Sequence, residues 1–340
     1  MTLVVPNYNH ARYLPESLGS IAAQTHAPDR VLIIDDASTD DSRAVISRLI
    51  ADHQSWELIR HDKNKGVVAG QNEALHDVDT DWIGFLGADD ALHPTYLERT
   101  LAQAANFPTT GLICACTELI GTRKTRALRP IMLPKRSSAL LGPNDVRSAL
   151  RFGDNYFSGT VSLYRRAALI ELGGFDERLG SFADAFVARQ LALTYGFFFI
   201  AEILGYWRIH GQNYSMTVTT DPDALSDKLC QIRALIAESK LFPADYDEAF
   251  ERRTRFGAAR TVFSTKGRPS AKAERAAALL GVGSIGRNCL GVMLSLGGIG
   301  RLVALAWAAL LTRPMSLGRL LSQWPQRRAI IAARSAYRAI

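Results

Sequence analysis

Five short polar segments each follow or border an apolar run, and their side chains suit nucleotides, phosphates and hard cations. Pro6-Asn7-Tyr8-Asn9 follows TLVV. Pro6 ends the ladder and turns the chain, and Tyr8 can offer its ring face to a base. Asp35 and Asp36 follow VLII and precede Ala37-Ser38-Thr39-Asp40. Two adjacent carboxylates are awkward to bury. Ser38, Thr39 or Asp40 can cap the next helix, which frees Asp36 to accept a hydrogen bond from a ligand donor such as the imide N–H of uracil. Gly87-Ala88-Asp89-Asp90 follows WIGFL and delivers two carboxylates. Mg²⁺ takes one or two carboxylates and completes its shell with phosphate oxygens and water. Asp184 follows the turn-like GGFDE (173–177) and opens an apolar helical run with Phe186, Val187 and Leu191. It is expected to cap that helix or to be held at its mouth. Finally, Tyr206-Trp207-Arg208-Ile209-His210 presents an Arg and a His that could hold a diphosphate or complete a metal shell. Each segment alone also reads as ordinary turn and cap chemistry.

The elements that must position these residues alternate up to about residue 210. Strands are expected at 2–5, 31–35, 57–61, 82–86, 111–116, 159–164 and 197–201. Amphipathic helical stretches lie between them, at Leu14–Gln24, Asp41–Ala51, Val67–His76 and Pro94–Asn106. This alternation predicts an α/β fold, a mostly parallel sheet with helices on both faces. Ligands in such sheets bind beyond the carboxyl ends of the strands, which is where the five segments fall. After about residue 217 Ala, Leu and Arg dominate, and helices are expected at 222–240, 244–262 and 268–280. The apolar stretch Asn288–Thr312 is interrupted by Gly297, Gly298, Gly300 and Arg301. A charge near mid-span is costly in a bilayer, so an interfacial or buried helical hairpin is expected there. Leu317, Leu320, Leu321 and Trp324 then recur at helical spacing among Arg313, Arg319, Arg327 and Arg328. The expected organisation is a nucleotide-binding domain over 1–217 and a basic helical region over 218–340.

Charge follows that division. The 340 residues carry 40 Lys and Arg against 33 Asp and Glu. From Arg252 onward there are 16 Lys and Arg and the single acid Glu274, a net +15, so residues 1–251 carry −8. Such a basic tail suits either an anionic surface, a membrane or a lipid carrier in preference to nucleic acid, or simply a solvated basic helical face. The four cysteines are too few and scattered for a disulfide scaffold. Cys114 and Cys116 share one face of an apolar strand and read as core thiols. No signal-peptide pattern opens the sequence, so a cytoplasmic chain is expected, at the inner face of the membrane if the tail binds lipid.

Taken in order, the segments resemble the inverting family 2 glycosyltransferases of the GT-A fold over roughly residues 1–215. VVPNYN resembles that family's opening strand and turn. VLIIDDASTD resembles its nucleoside-binding segment, and NKGVVAGQNEAL (64–75) its N-x-G…N stretch, with Asn64, Gly66 and Asn72. FLGADD is similar to the acidic metal and diphosphate motif, and YWRIHGQNYS to the closing Y-R-x-H motif. LGGFDE followed by ADAFVARQL resembles the segment whose helix-opening acid is the catalytic base. The resemblance implies Asp184 as catalytic base. It also implies a nucleotide-sugar site of Pro6, Tyr8, Asn9, Asp36, Asn64, Gly66, Asn72, Asp89 and Arg208, and a divalent metal (Mn or Mg) at Asp90 and His210. Gly87 stands where many relatives have an acid, Gln71 where Arg is common, and Ala183 where Glu often precedes the base. The Q-x-x-R-W signature of processive polysaccharide synthases is absent, so addition of one sugar is expected.

The implied reaction moves a sugar from a nucleotide diphosphate, UDP by expectation, to a hydroxyl of a saccharide or lipid-linked acceptor, in cell-envelope polysaccharide or glycoconjugate synthesis. A nucleotidyltransferase would share the sheet and the metal, but it usually shows a Gly-rich phosphate loop where this chain has PNYNHAR. A non-catalytic partner subunit would be marked by loss of Asp90 or Asp184, and both are present. GVGSIG (281–286) matches a dinucleotide fingerprint by letter, but it follows no strand. The basic cluster Arg123, Lys124, Arg126 and Arg129 reads as a solvated loop.

Overall fold

The computed structural model describes residues 1–121, 128–130, 133–153, 156–210, 213–314 and 321–333. Arg123, Lys124, Arg126, Leu317, Arg319 and Leu320 lie outside the described residues. Two compact units are present. One holds Met1–Ala149, Asn155–His210 and Leu321–Ile340; the other holds Leu150–Asp154 and Gly211–Leu320.

The first unit is built on a mixed sheet. Strands β1 (Thr2–Asn7), β2 (Arg30–Asp35), β3 (Trp56–Arg60) and β4 (Trp82–Phe85) pair in parallel in the order β3-β2-β1-β4. Helices α1 (Leu14–Ala22), α2 (Ser42–Leu49) and α3 (Val67–Asp77) connect them. Because both faces are covered, the strands are nearly continuous runs of buried aliphatics, as in Val31, Leu32, Ile33 and Ile34. The register places Asn7 beside Asp35. The polar ends of β1 and β2 therefore open at one level.

The remaining strands of the unit are β5 (Ala91–Leu92), β6 (Leu112–Gly121), β7 (Leu128–Arg129), β8 (Ala139–Leu141), β9 (Ser162–Arg165) and β10 (Phe197–Ile209). They continue the sheet as β4-β9-β6-β10-β5, with β7 on β6 and β8 on β10. The long β6–β10 pairing is parallel, and β9 runs antiparallel between β4 and β6. Helix α4 (Tyr96–Asn106), helix α5 (Pro143–Leu150), helix α6 (Arg166–Glu171) and helix α7 (Ala183–Tyr195) complete the connections. Three strands differ from expectation, the first being the one expected at 111–116, which runs on to Gly121. The run at 159–164 opens as a 3₁₀ turn over Gly159–Val161 and pairs only from Ser162. The strand expected at 197–201 continues to Ile209, through two register irregularities between Ile200 and Gly205. Arg208 is thus part of a strand. β5 pairs with Gly205 and Tyr206, which fixes the loop before β5 against the end of β10.

The second unit is helical: α8 (Tyr214–Thr220), α9 (Pro222–Glu238), α10 (Tyr246–Ser264), α11 (Pro269–Leu280), α12 (Ser284–Ser295) and α13 (Gly297–Thr312). Asp221 caps α9 by accepting from the Asp223 and Ala224 N–H groups. Leu225, Leu229, Ile232 and Ile236 bury one face of that helix, at the spacing an amphipathic helix requires. The stretch expected as a hairpin is indeed the pair α12 and α13. Among the described residues no helix is long and apolar enough to cross a membrane. The last helix, α14 (Trp324–Ala332), belongs to the first unit. The preceding Gln323 is buried, and its amide bonds both the N–H and the carbonyl of Leu133, at 2.9 and 2.8 Å.

Gly196 joins α7 to β10 at φ 73° and ψ 178°, a conformation open in practice only to glycine. A Cβ there would also lie 2.6 Å from the Leu141 carbonyl oxygen. Gly281 likewise has positive φ, but nothing lies within 4 Å of its added Cβ. Gly196→Ala is expected to lose about 3 kcal/mol or more in urea unfolding, against about 1 kcal/mol for Gly281→Ala.

Candidate active site

The two loops at the ends of β1 and β2 are locked to each other. Asn7 Nδ2 donates to Asp35 Oδ1 at 2.9 Å, and the Asn9 N–H donates to Ser38 Oγ at 2.9 Å. Asn9 Oδ1 accepts from the Thr39 N–H at 2.7 Å. Both Asn9 and Ala37 hold left-handed backbone, φ 58° and 62°. Asp40 accepts from the Ser42 and Ala11 N–H groups, at 3.0 Å each, and so serves the start of α2. Tyr8 stands exposed beside this corner and Pro6 is half-buried in β1.

The two aspartates of VLIIDD do different work. Asp35 is fully buried and accepts from Asn7, from the Ser38 N–H and from Arg43 Nε at 2.7 Å. Burial alone would raise its pKa, but these bonds outweigh it and hold the carboxyl below the usual range. Asp36 is nearly as buried, yet it is held by backbone. Its Oδ1 accepts from the Lys65 N–H and faces His61 Nδ1, both at 2.8 Å, and its Oδ2 accepts from the Gly66 N–H at 2.8 Å. Gly66 adopts φ 90°, and Asn64 Oδ1 reaches its N–H at 3.1 Å. Asp36, Asn64 and Gly66 are therefore one cluster. Asn72 is not in it. Its amide bonds the N–H and carbonyl of Phe175 at 2.9 and 2.8 Å, tying α3 to the GGFDE turn.

The acidic pair forms the second cluster. Asp90 is buried, with Oδ2 accepting from the Thr160 hydroxyl at 2.7 Å and Oδ1 from the Arg208 N–H at 2.9 Å. Asp89 Oδ2 meets His210 Nε2 at 2.8 Å, and its carbonyl accepts from Arg208 Nε at 2.9 Å. The far end of the Arg208 guanidinium pairs with Glu16 of α1. His210 stacks on Tyr13 at 5.1 Å and meets His10 edge-on at 5.8 Å. Burial and the Asp89 charge push the Asp90 pKa well up, against the pull of the Arg208 N–H and Thr160. Burial also lowers the His10 pKa, with Asp89 opposing.

Asp184 sits in the first turn of α7, half-buried, and accepts from the Ala185 N–H at 2.6 Å. Burial raises its pKa, while that bond and the Arg189 charge pull it down. Its Oδ2 crowds the Cα of Gly159: a Cβ there would lie 2.5 Å from it. Gly159 is chain neighbour to Thr160, the residue bonded to Asp90. One short segment thus lies against the carboxyls of both Asp184 and Asp90.

Among the described residues no three His, Cys, Asp or Glu side chains form a ready metal shell. The pair still fits a hard cation. Asp90 is buried beside the Asp89 carboxyl, both of which push its pKa up, and each of its oxygens retains a lone pair beyond its one protein donor. Mg²⁺ or Mn²⁺ held by Asp90, with Asp89 and His210 alongside, would draw most of its shell from phosphate and water. His10, Tyr13, Glu16 and Thr160 join this cluster and were not among the residues expected from sequence. Only the spacing of α1 from PNYN could have signalled the first three.

Residues 2–173 match the family model described as glycosyl transferase family 2. An uncharacterized glycosyltransferase of Nostoc sp. is 29% identical over 225 residues, 65% of this chain and 68% of that protein. A PGL/p-HBAD biosynthesis glycosyltransferase of Mycobacterium bovis is 36% identical over 107 residues, 31% of this chain and 40% of its own length. Among solved structures, S. aureus TarS 1-349 in complex with UDP-GlcNAc superposes with a TM-score of 0.60 at 16% identity, covering 92% of this chain and 90% of that one. A mannosyltransferase from Pyrobaculum calidifontis in complex with GDP-Man and Mn2+ superposes at 0.58 and 19% identity, covering 96% and 86%. At these identities the structures share the fold, whereas the family model covers half of the chain. The α/β sheet, its acidic strand-end loops and that match together make this chain a glycosyltransferase of glycosyl transferase family 2.

Proposed function

We propose that the protein transfers one sugar from a nucleoside-diphosphate donor, a UDP-sugar, to a hydroxyl of a saccharide or lipid-linked acceptor, with inversion at the anomeric carbon. The observation that carries this reading is the arrangement around residues 159–160, where a base-competent carboxyl and a buried acidic pair flank one segment. Asp184 takes the proton of the acceptor hydroxyl. The oxygen then forms its bond to the anomeric carbon as the bond to the β-phosphate oxygen breaks and the nucleoside diphosphate leaves with the electron pair. Arg208 and His210 face the departing phosphates. Asp36, with its orientation set by the Lys65 and Gly66 N–H groups, accepts from the imide of the base. Tyr8 covers the ring face, and Pro6, Asn9, Asn64 and Gly66 shape the pocket wall. A divalent cation held at Asp90 and His210 supplies neutralisation of the leaving diphosphate, typically worth several kcal/mol.

The acceptor belongs to cell-envelope glycan synthesis at the inner face of the cytoplasmic membrane. Support for that placement comes from the basic, apolar composition beyond Arg252. The sheet unit is the transferase, and the helical unit brings it to the membrane.

Three outcomes test the catalytic reading. Asp184→Asn is expected to lower kcat about 10²- to 10⁴-fold while leaving the donor Kd, measured by calorimetry, within a factor of about two. Turnover near that of the unaltered protein would remove Asp184 from its role. Because burial raises the Asp184 pKa and only the ionised form accepts a proton, kcat should fall as pH drops through a value above the ordinary carboxylate range. A profile flat down to the ordinary carboxylate range would count against it. Chelation should abolish UDP-sugar hydrolysis and transfer, Mn²⁺ should restore both, and Asp90→Asn should raise the Mn²⁺ concentration needed for half activity about tenfold or more.

A further inference from the structure

Helix α13 is turned inside out for a helix in water. The side chains it buries are small: Gly300, Ala304, Ala308 and, at the end, Thr312, spaced every four residues. Apart from half-buried Leu305, its large aliphatics are exposed. Ile299 is 76% exposed, Leu302 63% and Leu310 72%, and Val303 lies between them on the same face. Leu296, at the turn from α12, and Val292 within α12 extend the exposed stripe. At its first residue the inner stripe has a physical cause. A Cβ on Gly300 would collide with the Met293 carbonyl oxygen, so the chain turns from α12 into α13 in backbone contact and only glycine fits at that point. Small residues inward and aliphatics outward is the arrangement helices adopt when the surrounding medium is itself apolar, and an apolar stripe this continuous marks an interaction face.

Charge selects what covers that stripe. Between residues 275 and 314 the charged residues are Arg275, Arg287, Arg301 and Arg313, with no acid among them. A second copy docking through the same stretch would add four more arginines and no acid to meet them. An anionic surface would be drawn to them. The helix has 16 residues and is about 24 Å long, short of the ~30 Å hydrocarbon core. It would therefore lie in the plane of the interface, as amphipathic membrane-surface helices do.

We infer that the outer stripe of α13, Ile299, Leu302, Val303 and Leu310 continued by Leu296, is a lipid-contacting surface that inserts among the acyl chains of an anionic membrane, with Arg287, Arg301 and Arg313 at the headgroups. This deepens the membrane placement proposed above by assigning it to one helix face.

The test is co-sedimentation of the full chain with vesicles of phosphatidylcholine alone and of phosphatidylcholine mixed with phosphatidylglycerol. The intact protein should bind the mixed vesicles and not the neutral ones. The exposed double substitution Leu302→Gln with Leu310→Gln should lower partitioning about a hundredfold, as expected for two large aliphatics withdrawn from lipid. The same variant should keep its circular dichroism and its binding of UDP. If the variant binds mixed vesicles as well as the intact chain does, the assignment to α13 is wrong while membrane placement stands. If the intact chain binds neither vesicle, both are wrong. A dimer seen by sedimentation in the absence of lipid and dissolved by the same double substitution would overturn the lipid surface in favour of a second copy.

Discussion

The site depends on one residue that makes three kinds of bond at once. Arg208 uses its backbone N–H to hold Asp90, its Nε to hold the carbonyl of Asp89, and the end of its guanidinium to pair with Glu16. These contacts join the end of β10, the loop after β4 and the first turn of α1. Burying Asp90 next to another anion costs several kcal/mol unless the charges are met by donors. Arg208 and Thr160 offset part of that cost without occupying every lone pair. The acidic pair is therefore fixed in place, while each Asp90 oxygen keeps a lone pair beyond its one protein donor. Lys at this position could not reproduce the geometry, because a point ammonium lacks the fork that reaches two acceptors.

A similar division separates Asp35 from Asp36. The first is consumed by structure: Arg43, Ser38 and Asn7 surround it, and the β1 and β2 loops are joined through it. The second is held by two consecutive backbone N–H groups made available by the left-handed Gly66. A carboxylate fixed by backbone keeps its direction even when side chains around it move. Direction is what an acceptor needs if it is to distinguish a base bearing an imide N–H from one that does not. His61, between Asp36 and Glu73, adds a side-chain brace to the same end.

Much of this arrangement is legible in the residues. Apolar runs ending abruptly in Asn, Asp or His announce both the parallel strands and the level at which ligands bind, and the helices at 14–22, 42–49 and 67–77 follow from their periodicity. The roles of Asn72 and Thr160 are not legible. Asn72 has the residue type of a ligand contact, yet it closes the backbone of Phe175 across 103 positions of chain. Thr160 lies inside a run that reads as an ordinary strand, and only the 3₁₀ turn there aims its hydroxyl at Asp90. The length of β10 was hidden for a related reason. Glu202 and Gly205 break the apolar pattern, and the strand tolerates them because its register slips at those points. Gly205 is also where a Cβ would strike Val161, so the apparent strand breaker is the residue that lets β10 pass the turn carrying Thr160.

The helical unit shows the limit of periodicity in a different form. In α9 the buried positions are the large aliphatics, and the pattern names the inner face. In α13 nearly every position is apolar, so spacing alone cannot say which side is inside. Burial in the fold does. Gly300 admits the Met293 carbonyl at the turn from α12, the buried positions then recur every four residues at Ala304, Ala308 and Thr312, and Ile299, Leu302, Val303 and Leu310 fall on the exposed side. The glycine that interrupts the apolar stretch in the sequence therefore marks the buried side of the helix, and most of the bulky aliphatics lie on the other.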